Sequence, residues 1–144
     1  MSLWRLYYHI VWATKSRQAL ILPEQEDKLY NHIIGKSDSL GCILHAINGV
    51  SDHIHLITSI PPRLAIYDYI RQIKGGSSHY MNQQFSLSNK FAWQQGYGIF
   101  SISFKNLNIA INYVKQQKKH HQNGTTIAIL EQTSDENNPP ARYH

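Results

Sequence analysis

Cysteine is almost absent from this chain, and its scarcity excludes two kinds of structure. Cys42 is the single cysteine among 144 residues, so neither an intramolecular disulfide nor a cysteine-rich zinc site can form. Cys42 lies in an apolar run, which predicts a small buried side chain. Long apolar stretches are missing as well: none approaches the roughly 18 residues of a membrane span, and the N-terminal segment has no signal-peptide pattern. We therefore expect a cytoplasmic protein without a membrane partner.

Acidic residues are the minority charge. Fourteen Lys and Arg against nine Asp and Glu give a net charge of +5 with histidine neutral. This excess predicts a polyanionic partner, nucleic acid first. A hydrophobic fraction of 42% with 16% charged residues is typical of one globular domain. We place that domain at residues 1–132 and expect the polar tail 133–144 to be disordered.

Hydrophobic periodicity predicts the element order β-α-β-β-α-β. Strands are expected at 3–13, 42–50, 53–60 and 96–104, helices at 23–40 and 64–84, a loop at 86–95, a long helix from Asn106 as its cap to about His121, and a short helix at 126–132. This order is typical of the α+β ferredoxin-like fold, a four-stranded antiparallel sheet with two helices on one face. The other face would be free for a site, with the last helix as an addition to the fold.

The most informative motif is a histidine–apolar–histidine step in the third predicted strand. Side chains alternate faces along a strand, so His53 and His55 project from one face about 7 Å apart, while Ile54 and Leu56 project from the other. Two imidazoles in this arrangement can share one divalent metal. They can equally be two polar residues on the wet face of a half-buried strand, and the motif alone leaves both interpretations open.

Other polar residues near this strand have ordinary structural interpretations. Asp52 lies in the turn before the strand, where we expect its side chain to cap backbone amides. His9 and His45 on strands, and His32 on a helix, are expected to be structural histidines.

The last predicted helix carries a second pair of polar residues. Tyr113 and Gln117 are four residues apart, so they lie on one face beside the apolar stripe, and His121 continues the row. A phenol and a carboxamide in this position can reach a neighbouring surface. Taken alone, Tyr113 can also be an ordinary boundary residue of an amphipathic helix.

Taken together, these pieces resemble the single-tyrosine HUH transposases of bacterial insertion sequences and the related REP-associated tyrosine transposases. The resemblance covers roughly residues 4–131. It includes Trp12-Ala-Thr-Lys-Ser-Arg17, Asp52-His-Ile-His-Leu56, Ile70-Arg-Gln-Ile-Lys-Gly-Gly-Ser-Ser78, Trp93-Gln-Gln-Gly-Tyr-Gly-Ile-Phe-Ser101 and Tyr113-Val-Lys-Gln-Gln117. His120-His121, Thr125-Thr126 and Glu131, which follow, look closer to the REP-associated branch.

The resemblance implies a reaction and a role for each motif residue. His53 and His55 would be metal ligands, Gln117 a third ligand through its carbonyl oxygen, and Tyr113 the nucleophile. The metal would be Mg²⁺ or Mn²⁺. Attack on single-stranded DNA that carries hairpins would leave a 5′-phosphotyrosine and a free 3′-hydroxyl, and another 3′-hydroxyl would rejoin the strands. Relatives work as homodimers, which implies a site shared between subunits.

Basic residues near these motifs are candidate phosphate contacts. They are Lys15, Arg17, Arg71, Lys74, Lys105, Lys115, Lys118 and Lys119. Trp93 and Tyr97 are candidates for stacking on unpaired bases.

Two other functions stay open. One is a non-catalytic module similar to RNA-recognition domains, which have the same element order and bind single strands without metal. The other is a domesticated nuclease that acts on dispersed REP hairpins. A larger replication initiator or relaxase of the HUH class and simple metal-dependent hydrolysis fit the sequence less well.

Overall fold

The computed structural model describes residues 2–85 and 89–142, and its elements follow the predicted order. The strands are β1 (Tyr7–Ala13), β2 (Ile43–Val50), β3 (His53–Ser59) and β4 (Gly98–Ile102); the helices are α1 (Pro23–Ser39), α2 (Ile66–Gln84), α3 (Leu107–Lys115) and α4 (Gln117–Asn123). Short 3₁₀ turns occupy Lys15–Arg17, Phe104–Asn106 and Ala128–Glu131. Residues 86–88 of the predicted loop and 143–144 of the predicted tail lie outside the described residues.

The four strands form one antiparallel sheet in the order β2-β3-β1-β4. This order, with α1 and α2 packed on one face, confirms the predicted ferredoxin-like fold. Strand β3 has a neighbour on each side, and every one of its residues is buried. The histidine–apolar–histidine step therefore lies in the interior of the sheet rather than at an edge.

The main core lies between the sheet and the two helices α1 and α2. Its sheet side consists of the alternate residues Ile10 and Trp12 of β1 and Ile54 and Leu56 of β3, all fully buried. Its helical side includes Leu29, Ile33, Ile70 and Ile73. Each such aliphatic side chain contributes roughly 1.5–3 kcal/mol when it is buried. Cys42, 4% exposed, also lies in this core, as the apolar run predicts.

The opposite sheet face is not bare, which differs from the expectation of a free face. Helix α3 packs there through a second cluster formed by Ala46, Ile57, Tyr113 and Val114. The C-terminal helix thus covers the face that carries the histidines, and any site on this face lies between the sheet and the segment 107–131.

Several element ends differ from the sequence predictions. Strand β1 begins at Tyr7 because the ladder with β4 starts at the pair Tyr7–Ile102, and residues 2–6 have no partner in the sheet. The predicted long last helix is two helices, interrupted at Gln116 (φ −97°, ψ 17°). The side chain of Asn106 makes no capping hydrogen bond, because this residue already belongs to the 3₁₀ turn that precedes α3.

Part of the predicted tail contacts the loop before β4. Asp135 accepts hydrogen bonds from the side chain of Gln94 (3.0 Å) and the backbone N–H of Gly96 (2.8 Å). The boundary at residue 132 and the disorder of the tail stay predictions.

Among the helices of residues 2–85 and 89–142, none has the combination of length and apolar character that a bilayer span requires.

Gly49 is required by the close approach of β2 to β3. A Cβ atom at this position would lie 2.2 Å from the carbonyl oxygen of His53 and 2.8 Å from Cα of Ile54. We expect Gly49→Ala to lower the free energy of unfolding by about 1–3 kcal/mol, since backbone atoms must move to make room. Gly75→Ala is the matched control: a Cβ there meets nothing within 4 Å, and α2 should gain about 0.5–1 kcal/mol. Urea denaturation of both variants measures the difference, and equal stabilities would contradict the packing argument.

Candidate active site

Strand β3 brings His53 and His55 to the same face, as its alternation predicts. The two side chains are 3% and 0% exposed, and their ring centroids are 5.2 Å apart. The Nε2 atoms of both rings point at one oxygen, Oε1 of Glu131, at 3.1 Å and 3.2 Å. The two imidazoles therefore converge on a single point, which the alternative of two independent polar residues does not require.

Glu131 lies at the centre of a larger group of side chains that could hold a metal ion. Its Oε1 atom also contacts Nε2 of His121 at 2.9 Å. The ligand atoms of His53, His55, His121 and Glu131 all lie within 4.8 Å of one another. Imidazole nitrogen together with carboxylate oxygen is a donor set that first-row divalent metals accept.

The same carboxylate binds the two polar residues of the C-terminal helices. The hydroxyl of Tyr113 donates to Oε2 of Glu131 at 2.5 Å and accepts the backbone N–H of Ile127 at 2.9 Å. Nε2 of Gln117 donates to both oxygens of Glu131, at 3.0 Å and 3.1 Å. Through Glu131, the structure thus brings Tyr113 and Gln117 together with the strand histidines, all within one chain.

The residues of this cluster fit a bound cation. Oε1 of Gln117 is buried and has no hydrogen-bond partner among the described residues. Buried amide oxygens normally have one. A half-turn of the carboxamide would exchange its two end atoms and direct the oxygen toward Glu131, whose Oε1 contacts the histidines, and a cation bound there would satisfy it. Gln117 can therefore join the imidazoles and Glu131 as a ligand.

Each strand histidine has a second partner on its other ring nitrogen. Nδ1 of His53 lies 2.7 Å from Oδ1 of Asp52, and Nδ1 of His55 lies 2.8 Å from Nε2 of His9. The expectation that Asp52 caps backbone amides is wrong, because the turn places its carboxylate beside the ring of His53 instead. His9, expected to be structural, also belongs to this cluster.

The electrostatics of the cluster keep Tyr113 protonated. Burial, followed by the hydrogen bond to Glu131, raises the pKa of Tyr113 to about 12. Burial alone would raise the pKa of Glu131, but hydrogen bonds with His53, His55 and Tyr113 outweigh it and hold that pKa well below its usual range. Burial lowers the pKa of His55, which favours the neutral imidazole that a metal requires.

Three members of the cluster were not identified as ligands or partners from the sequence. His121 had a signal, since it lies four residues after Gln117 in the predicted row. Glu131 belongs to the stretch that resembles the REP-associated branch, but nothing marked it as a ligand, because the short 3₁₀ turn that carries it has no periodicity. His9 could be found only from the strand pairing, which sequence periodicity does not provide.

The candidate phosphate contacts divide into exposed residues and residues engaged within the fold. Seven are exposed: Lys15, Arg17, Arg71, Lys105, Lys115, Lys118 and Lys119. Lys74 donates to the carbonyls of Gln95 (3.0 Å) and Gly96 (3.1 Å). Lys118 is exposed, but it also binds Glu26 and Asn48 (both 2.7 Å) and the carbonyl of Gly49 (3.0 Å). Lys74 and Lys118 therefore also hold loops and helices in place.

A groove of about 770 Å³ lies between α2 and the loop before β4. Its walls include the aromatic residues Tyr67, Trp93 and Tyr97 and the cations Arg71 and Lys90. The groove is on the α2 side of the sheet, whereas the histidine cluster is on the α3 side. The indole N–H of Trp93 donates to Ser77 (2.8 Å), so this ring is fixed by the fold.

Comparisons with known proteins agree on one family. Residues 2–117 match the family "Transposase IS200 like". The transposase for insertion sequence element IS200 of Salmonella typhimurium is 25% identical over 131 residues, which cover 88% of this chain and 86% of that protein. The ISDra2 transposase TnpA of Deinococcus radiodurans is 26% identical over 117 residues, 81% of this chain and 82% of that protein.

Solved structures share the fold. A protein of Deinococcus radiodurans R1 superposes with a TM-score of 0.66 at 25% identity, covering 81% of this chain and 93% of its own. The REP-associated tyrosine transposase bound to a REP hairpin superposes with a TM-score of 0.62 at 19% identity, covering 88% of this chain and 76% of its own. Because the family match spans most of the chain and includes His53, His55, Tyr113 and Gln117, this protein belongs to the IS200-like transposase family.

Proposed function

We propose that this transposase cuts and rejoins single-stranded DNA at hairpin-bearing ends, with Tyr113 as the nucleophile and a divalent metal as cofactor. The observation that carries the proposal is the shared carboxylate. Glu131 binds the hydroxyl of Tyr113 through one oxygen and the imidazoles of His53 and His55 through the other. One carboxylate therefore contacts both the proposed nucleophile and the proposed metal ligands.

The chemistry follows from what a phenol can do. Attack of the phenolic oxygen on a phosphodiester forms a tyrosyl phosphodiester and releases a 3′-hydroxyl, so the energy of the broken bond is kept for rejoining. Another 3′-hydroxyl then reverses the step and displaces Tyr113. A phenol has an ordinary pKa near 10 and is a weak nucleophile when protonated, so the site must help it to lose its proton.

The metal would be held by His53, His55, Gln117 and Glu131, with His121 as a further ligand. When bound, it would orient the scissile phosphate and neutralise charge on the leaving oxygen. We propose Mn²⁺ or Mg²⁺. Imidazole-rich sites favour metals later in the first row, while Mg²⁺ prefers oxygen, so three imidazoles favour Mn²⁺ of the two.

The proposed DNA partner is supported by charge and by a structural neighbour. The net charge is +5, and the exposed cations Lys15, Lys105, Lys115 and Lys119 can contact phosphates. The REP-associated tyrosine transposase, whose structure is similar to this one, is bound to a REP hairpin. We propose that this protein likewise binds a hairpin-bearing DNA strand, and that it does so as a homodimer in the cytoplasm. Palindromes that flank the gene would indicate an autonomous element, and dispersed repeats in the genome would indicate a domesticated enzyme.

A non-catalytic nucleic-acid-binding module is the second candidate. The observation that favours it is the groove lined by Tyr67, Trp93 and Tyr97, on which unpaired bases could stack. Against it, RNA-recognition domains use the sheet face that α3 covers here. Such a module would also leave the contacts around Glu131 without a function.

The first test of the proposal is removal of the phenolic oxygen. We expect Tyr113→Phe to abolish a denaturant-resistant adduct between the protein and hairpin-bearing single-stranded DNA in Mn²⁺, because no other group would be placed to attack. Gel electrophoresis of the denatured reaction measures the adduct. Tyr30→Phe is the matched control, since the hydroxyl of Tyr30 is buried without a partner among the described residues. An adduct that survives in Tyr113→Phe would assign the nucleophile elsewhere.

The second test separates the metal-dependent enzyme from the metal-free module. EDTA and the double substitution His53→Ala/His55→Ala should each abolish strand cleavage, while binding to single-stranded DNA falls by less than about tenfold, since phosphate contacts dominate affinity. Cleavage gels and fluorescence anisotropy give the two readouts. Added Mn²⁺ should restore cleavage at lower concentration than Mg²⁺. Cleavage that persists in EDTA would refute the metal site.

The third test separates phosphate contacts from structural lysines. Lys118→Met should lower the unfolding free energy by about 1 kcal/mol, because Glu26 and Asn48 lose a partner at a partly exposed site. Lys119→Met removes the same charge from an exposed neighbour and should leave stability unchanged. It should instead reduce by about 1 the slope of log affinity for DNA against log salt. Denaturation and salt titrations measure both, and the reverse pattern would make Lys118 the phosphate contact.

A further inference from the structure

His9 contacts one of the proposed metal ligands from a neighbouring strand. Its side chain is 1% exposed, and its Nε2 atom lies 2.8 Å from Nδ1 of His55. The two ring centroids are 5.1 Å apart. Tyr113 and Phe100 pack against the same ring, with centroids at 6.2 Å and 6.4 Å. His9 is therefore held between the nucleophile, a ligand and the edge strand.

The strand register explains this contact. Val11 pairs with His55, and His9 pairs with Ile57, in the antiparallel ladder of β1 and β3. Residues directly opposite each other share a face, and the next residue but one on the neighbouring strand is the diagonal neighbour. The side chain of His9 is thus the diagonal neighbour of His55 on the face that carries the cluster. The pairing that builds the main core also fixes the distance between the two imidazoles.

The hydrogen bond between the two rings determines which nitrogen of His55 is free. A neutral imidazole carries its proton on one nitrogen and a lone pair on the other. For Nε2 of His55 to bind a cation, its proton must be on Nδ1, and the partner there must accept it. Asp52 supplies an acceptor to Nδ1 of His53, at 2.7 Å. At His55 the corresponding partner is Nε2 of His9.

We propose that His9 is a positioning residue, which accepts the Nδ1–H of His55 and so directs the Nε2 lone pair of His55 at the cation site. The inference rests on the proposed function, since it assumes that the cluster binds a metal. The two ligands on β3 would then be oriented by two different acceptors, a carboxylate from the turn and an imidazole from β1. An outer partner of this kind fixes both the tautomer and the ring orientation of a ligand.

The test uses two substitutions of His9 in the full chain. His9→Phe keeps a ring of similar volume but has no acceptor, and we expect it to weaken Mn²⁺ binding about 10–100-fold, the usual effect of losing an outer partner. His9→Gln places an amide oxygen near the position of Nε2 and should restore affinity to within about threefold of wild type, since the acceptor is regained. His45→Phe is the matched control, because His45 binds Ser59 (2.7 Å) and is outside the cluster.

Isothermal titration calorimetry or Mn²⁺ electron paramagnetic resonance measures the affinity, and thermal melts check folding. If His9→Phe does not fold, His9→Met supplies the same comparison. Unchanged affinity in the variant without an acceptor would overturn the inference, and so would equal losses in His9→Gln and His9→Phe with wild-type melting. Wild-type protein that binds no Mn²⁺ would instead overturn the metal site itself, and this inference with it.

Discussion

The alternation of side chains along β3 is the constraint on which the rest of the structure depends. Ile54 and Leu56 are fixed in the main core, and this fixes His53 and His55 on the opposite face. A slip of one residue would exchange the two sets, so the register that stabilises the fold is also the register that forms the site. Because β3 is paired on both sides, the imidazoles are attached to a strand that is hydrogen-bonded along both of its edges.

Buried imidazoles need partners, and this need explains how the C-terminal segment is attached. His53 and His55 are almost fully buried, and each has a polar contact on both ring nitrogens. The partner common to both is Glu131, which comes from the far end of the segment that covers the sheet. An unpartnered buried polar group costs several kcal/mol. The same contacts that satisfy the histidines therefore help to hold Tyr113 over them.

Local pattern predicts part of this structure, and tertiary contacts determine the rest. Period-two alternation located β3 and its histidines, and four-residue spacing placed Tyr113 and Gln117 on one helix face. The break at Gln116 has no sequence signal, because the residues around it have ordinary helical propensity. Directly before it, the side chain of Asn48 on β2 donates to the carbonyl of Lys115 at 3.0 Å. Glu131 and His9 join the site through the chain's path and the strand pairing, neither of which has a periodic signature.

The position of Glu131 places a condition on the entry of DNA. Its carboxylate is held ionised by its hydrogen bonds, with its oxygens bonded to the hydroxyl of Tyr113 and to the histidines. A scissile phosphate that reaches Tyr113 must approach this negative charge, and two like charges 4 Å apart repel by about 4 kcal/mol near a protein surface. A cation among the histidines would offset that repulsion, whereas the same carboxylate without a cation would oppose the phosphate. Glu131 therefore couples the cation and the scissile phosphate electrostatically. The scissile phosphate should be placed beside Tyr113 only when a cation is bound, while contacts elsewhere keep the rest of the strand attached without it.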